Sequence, residues 1–133
     1  MKKLFGLSLL LMLFALAACG PSKTAEQIRA LTAADYERLQ KIVADICAKQ
    51  FIPEGESHVF LNGSESPEKL RYLAPEFVEI GRSYAVIYLQ KSPAGEDSIQ
   101  VGRDERGVWT IQTHIGSWKN PPQTVWTSSR EAM

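Results

Sequence analysis

Residues 98–115 constrain this chain more than any other stretch. Two runs, 98–103 and 108–115, flank Asp104-Glu105-Arg106-Gly107. Asp in the first position and Gly in the fourth suit a type I turn, with the glycine taking the left-handed conformation. Pairing Asp104 with Val108 sets Val101 against Ile111 and Arg103 against Trp109. Directly paired residues share a face of a sheet. Ile99, Val101, Trp109, Ile111 and Ile115 therefore lie on one side, and Gln100, Gly102, Thr110, Gln112 and His114 on the other. A hairpin with one apolar and one polar face belongs to an antiparallel sheet covered on one side.

The natural cover is a helix over residues 33–50. Thr32 and Asp35 stand at capping-box spacing. Tyr36, Leu39, Ile42, Val43, Ile46 and Cys47 follow at the three-and-four spacing of one buried stripe, with Glu37, Arg38, Lys41, Asp45 and Lys49 opposite. Pro53 stops the helix near Phe51. Ile28 and Leu31 pack just ahead of it. The fold class expected is α+β, with one long N-terminal helix on an antiparallel sheet of three to five strands. This element order is similar to that of cystatin-like and nuclear-transport-factor-like folds, an analogy that carries no function.

Residues 84–91 form a further strand, rich in β-branched and aromatic side chains. Ala85, Ile87 and Leu89 fill one face, but Tyr84, Val86 and Tyr88 fill the other. The second face needs cover from the C-terminal segment, another subunit or a partner. Residues 118–126, with Asn120-Pro121-Pro122, are expected to cross the sheet as an extended strap. Residues 92–97 read as a turn and 57–61 as a short strand. Asn62-Gly63-Ser64 is turn chemistry. Ser66-Pro67-Glu68 opens a short helix with Ser66 as cap, carries Leu70 and Leu73 inward and ends near Pro75.

The amino terminus is of another kind. Lys2 and Lys3 precede an apolar run over residues 4–15, about a dozen residues, where a membrane-spanning helix needs roughly 20. A positive start, a short apolar middle and small residues before a cut site make a secretory signal peptide. Leu16-Ala17-Ala18-Cys19 closes it. These four residues resemble the lipobox of bacterial lipoproteins, and the resemblance covers residues 1–20. It implies cleavage ahead of Cys19, a diacylglycerol on its thiol and an acylated amino group. Gly20 in the next position, where Asp favours inner-membrane retention in enterobacterial members, implies an outer-membrane destination in a Gram-negative organism; the domain is separately expected to face the periplasm. Residues 20–27 read as a brief tether, with residues 19–30 linking lipid to a single α+β domain over 31–133.

With Cys19 lipidated, Cys47 is left alone, and its place in the apolar stripe makes it a buried structural thiol rather than a nucleophile. The chain carries 15 basic and 15 acidic side chains. Loss of Lys2 and Lys3 leaves acids in slight excess, and no basic stripe suits nucleic acid. His58 and His114 stand apart, without acids at metal-ligand spacing, and read as exposed. Glu54, Glu56, Glu65 and Glu68 read as solvated loop and cap residues. No nucleophile elbow, phosphate-cradling loop or dinucleotide fingerprint occurs. No catalytic residue, cofactor or metal is expected.

Tyr84, Tyr88, Trp118 and Trp126 are the candidate partner-binding residues, because Tyr and Trp are enriched at interface hot spots. The opposing reading has Trp118 and Trp126 folding back to bury the two tyrosines. The expected function is a lipid-anchored, non-enzymatic binding or accessory module acting on a protein partner in the envelope. Alternatives are an immunity or inhibitor protein against a toxin or wall hydrolase, and a small-ligand pocket between helix and sheet.

Overall fold

A computed structural model describes residues 22–61 and 66–128. The expected turn at 62–64, Glu65 and the lipobox stretch lie outside the described residues. Among the described residues the fold is α+β: two α-helices, α1 (Lys23–Arg29) and α2 (Ala33–Lys49), cover one face of an antiparallel sheet. The strands are β1 (Ser57–Leu61), β2 (Phe77–Gly81), β3 (Tyr84–Ser92), β4 (Gly95–Arg103), β5 (Trp109–His114) and β6 (Gln123–Thr127), ordered in space as in sequence. The sheet thus has six strands, where three to five were expected, and the long helix is preceded by a shorter one.

The hairpin of β4 and β5 has the register its turn chemistry requires. Val101 pairs with Ile111 and Arg103 with Trp109. The Asp104 amide donates to the Val108 carbonyl at 3.0 Å, and the Asp104 carboxylate accepts from the Arg106 and Val108 amides. Gly107 takes φ +83°, where a side chain would strain the backbone. Helix α2 carries the full capping box: the Thr32 hydroxyl accepts from the Asp35 amide, and the Asp35 carboxylate accepts from the Thr32 amide. Those hydrogen bonds, backbone first, hold the Asp35 carboxyl below the ordinary range.

The core lies between the helices and the sheet. Leu39 and Val43 of α2, Ile28 of α1 and Leu70 meet Val78, Ile80, Ala85, Ile87, Ile99, Val101 and Ile111 of the sheet, all essentially inaccessible to water. Burying a side chain of this size stabilises by about 1.5–3 kcal/mol each. Ile28 and Leu31 pack ahead of α2 as expected, but as part of α1 and its exit.

Five expectations are corrected. Residues 23–29 of the supposed tether form α1, capped by Ser22 and holding Ala25 and Ile28 in the core, because an apolar pair at i, i+3 gives even a short helix something to bury. The helix after Ser66 is a 3-10 helix, Glu68–Leu73, whose cap position falls on Pro67 with no side-chain hydrogen bond; Leu70 and Leu73 still point inward. Phe77–Gly81, not anticipated, is the strand β2: Val78 and Ile80 alternate into the core, a pattern too short to stand out. The turn at 92–97 shrinks to Pro93-Ala94, and β4 starts at Gly95. The strap does not cross the sheet. Gln123–Thr127 pairs along β5 as an edge strand, because an edge offers unpaired backbone groups that an extended segment satisfies.

Candidate functional site

Among the described residues, no helix covers the face of the sheet opposite α1 and α2. Pairing sets side chains across it in rows, Leu61–Phe77–Tyr88–Ser98–His114 and Val59–Glu79–Val86–Gln100–Gln112–Thr124, with Tyr84 beside Gly102 and Thr110. The β1–β3 half is mostly apolar and aromatic, with Glu79 set between Val59 and Val86; the β4–β6 half is polar. Val59 and Leu61 are 56% and 58% exposed on an edge strand without a charge or a proline, and Phe77, Tyr84, Val86 and Tyr88 are half-buried. Sheet edges of this kind are usually blunted by charge or cover.

The rings on this face are held in place. Phe77 and Tyr88 stack with centroids 4.3 Å apart and planes at 20°. Lys91 lies over both, its Nζ 5.1 Å from the Tyr88 centroid and 5.5 Å from that of Phe77. A bulge between Tyr88 and Gln90 makes this possible. Leu89 takes up one extra residue, so Gln90 turns to the helix side and Lys91 returns to the face of Tyr88. Burial first, then the charges of Glu79 and Glu96, push the Tyr88 phenol up from its ordinary value. The Tyr84 ring lies over Gly81, in the space a side chain there would occupy.

At the hairpin end of the sheet, where β3 turns into β4 through Pro93-Ala94, His114 is a clamp rather than an exposed histidine. Its Nδ1 is 2.8 Å from the Glu96 carbonyl oxygen and its Nε2 2.9 Å from that of Asn120. Its ring stacks on Trp118 at 5.9 Å. Trp118 donates its Nε1–H to the Pro93 carbonyl at 2.8 Å and stays 49% exposed. Gly95 admits this loop, since any side chain there would strike the Gly116 carbonyl.

The four predicted partner-binding residues therefore do not form one patch. Tyr84 and Tyr88 share the open face four residues apart, and Trp118 stands at its hairpin end. Trp126 pairs with Ile111 and packs against the core on the opposite side. Trp126 thus faces away from the tyrosines, and Trp118 stacks on His114. Val59, Leu61 and Phe77, which complete the apolar half, were not singled out from sequence; the alternation of β1 and β2 held the signal once both were known as neighbours.

Other chemistry is sparse. Cys47 is half-buried, its Sγ 3.7 and 3.8 Å from the carbonyls of Gly81 and Tyr84, at a cleft of about 160 Å³ lined also by Arg82 and Arg103. Burial pushes its thiol up, against the opposing pull of Arg103 and of the hydrogen bond to the Tyr84 carbonyl. Among the described residues no group of three or more His, Cys, Asp or Glu is placed to hold a metal ion. Glu54 and Glu56 line a broad charged cleft with Arg82, Arg103 and Arg106 at the far end of the sheet. No helix among the described residues is long and apolar enough to cross a membrane. No family model, curated protein or solved structure matches the chain.

Proposed function

We propose that this chain is a lipid-anchored envelope protein, held through Cys19, whose folded part is a non-enzymatic binding module for a protein partner. The observation that carries the binding reading is the apolar half of the open face. Val59, Leu61, Phe77, Tyr84, Val86 and Tyr88 share this face, around the single carboxylate of Glu79, beside the edge of β1 that no other described strand pairs. A partner gains apolar contact from the face and backbone hydrogen bonds from the edge. Lys91, over the two rings, adds a cation beside this face. The space between α2 and the sheet is filled by Leu39, Val43, Ile87, Ile99 and Ile111, which favours the face over a ligand pocket at that interface. The anchor reading rests on Leu16-Ala17-Ala18-Cys19 and the short apolar run before it. Gly20 supports the outer membrane as destination.

Metabolic labelling with palmitate, wild type against Cys19→Ser, tests the anchor; label on the variant would refute it. A photo-crosslinking side chain at Val59 or Val86 in intact cells tests the face. One discrete adduct is expected from both positions and none from Gln112. Absence of any adduct at 59 and 86 would remove the binding reading.

A further inference from the structure

The amino-terminal residues are tied to one end of the sheet by a polar lock. The Ser22 hydroxyl donates to the Asp97 carboxylate at 2.7 Å, and the Thr24 hydroxyl reaches the same oxygen at 2.5 Å. The other Asp97 oxygen accepts from the Gly116 amide at 2.9 Å. Thr24 also contacts the Gln90 side chain. Ser22 thus sits beside the β3–β4 hairpin tip and the Trp118 loop, which are themselves joined by the bonds of Trp118 to Pro93 and Ala94.

Only Gly20 and Pro21 separate Ser22 from Cys19. Three residue steps span at most roughly 11 Å. The turn at Asp104–Gly107 lies at the other end of β4, a nine-residue strand and so about 30 Å away. A chain this short can place only the hairpin end at a lipid attached to Cys19.

We infer that the hairpin end is a membrane-contact surface and that its occupant is the lipid headgroup layer next to the anchor. The inference rests on the lipid-anchor reading above. The chemistry of this end suits an interface. Trp118 is half-exposed, and tryptophan concentrates at the headgroup level, with an apolar ring and a polar edge. Pro93, Ala94, Pro121 and Pro122 are exposed around it. Lys23, Lys91 and Lys119 are exposed at the same end, against Glu76 and Glu96, so contact depends on the aromatic and the anchor more than on net charge. The strands run away from the bilayer, the open face of β1–β3 stays accessible from the side, and a partner must bind within about 30 Å of the membrane.

The test uses the full lipidated chain in vesicles of phosphatidylethanolamine and phosphatidylglycerol with brominated acyl chains. Tryptophan quenching is expected in the wild type and largely lost in Trp118→Phe, because Trp109 and Trp126 lie away from this end. On the wild type itself, a membrane-impermeant amine reagent should modify Lys119 several-fold more slowly than Lys49, whose side chain is 72% exposed near the opposite end. Should Trp118→Phe unfold, the lysine ratio still decides. A chain that floats with the vesicles but shows equal quenching in both proteins and equal labelling at Lys119 and Lys49 overturns the orientation and leaves the anchor standing. A chain that fails to float overturns the anchor and the orientation with it.

Discussion

The two faces of β3 carry residues of the same kind and meet different fates. Ala85, Ile87 and Leu89 point at the helices and are buried; Tyr84, Val86 and Tyr88 point away and stay half-exposed. The strand alternates apolar with apolar, so nothing in its own sequence separates the faces. The cover separates them, because α1 and α2 have apolar stripes to bury and the sheet has one face to receive them. The uncovered face is where a partner gains most, since each group it buries is one that folding left partly wet.

Truncation tests that contrast most directly. Ile87→Ala should cost about 2–5 kcal/mol in chemical denaturation, while Val86→Ala should cost under about 1 kcal/mol. Equal costs would mean that the open face is covered in solution.

The lock at Asp97 is the next largest effect. Asp97→Ala leaves the Ser22 and Thr24 hydroxyls and the Gly116 amide without their charged acceptor, at about 1.5–3 kcal/mol. Burial alone would raise this carboxyl. Hydrogen bonds from Thr24, Ser22 and Gly116, with the charge of His114, outweigh burial and hold it below the ordinary range. The folded-state pKa is depressed, so the stabilisation is complete above the ordinary carboxylate range and is lost as pH falls through the lower value. Acid titration of stability should show that loss in the wild type and a smaller one in Asp97→Asn. A wild type and variant with the same acid slope would show that the lock carries no linkage.

Removing the cap of the covering helix, Thr32→Ala, should cost about 1 kcal/mol. Smallest of all, Leu61→Ser on the open edge should change stability by no more than about 0.5 kcal/mol. It should nonetheless weaken the adduct formed from a crosslinker at Val59. A Leu61→Ser protein that loses stability on the scale of Ile87→Ala would place Leu61 in the core.

Elements defined by neighbours in sequence were legible. The turn at Asp104–Gly107 set the β4–β5 register, and Thr32 with Asp35 set the start of α2, because each involves groups within a few residues of one another. β2 was not legible: its five residues gain their identity from β1 and β3 on either side. Of the candidate site, Tyr84 and Tyr88 were visible as surplus aromatics on a strand already apolar on its other face. Val59, Leu61 and Phe77 were not, since their membership depends on strand neighbours.

By itself, then, the sequence determined the hairpin, the capped amphipathic helix and the apolar identity of both β3 faces. Only the tertiary structure decided that Lys91 stands over Tyr88, that Trp126 turns inward, that residues 123–127 close the sheet edge and that Ser22 is pinned to Asp97. The physical reason is one of range. Caps and turns are satisfied by nearby backbone groups, whereas a bulge, an edge pairing or a long-range polar lock is fixed by partners tens of residues away. A one-residue bulge at Leu89 reverses the facing of every residue after it, and strict alternation counted from Tyr88 gives the opposite answer.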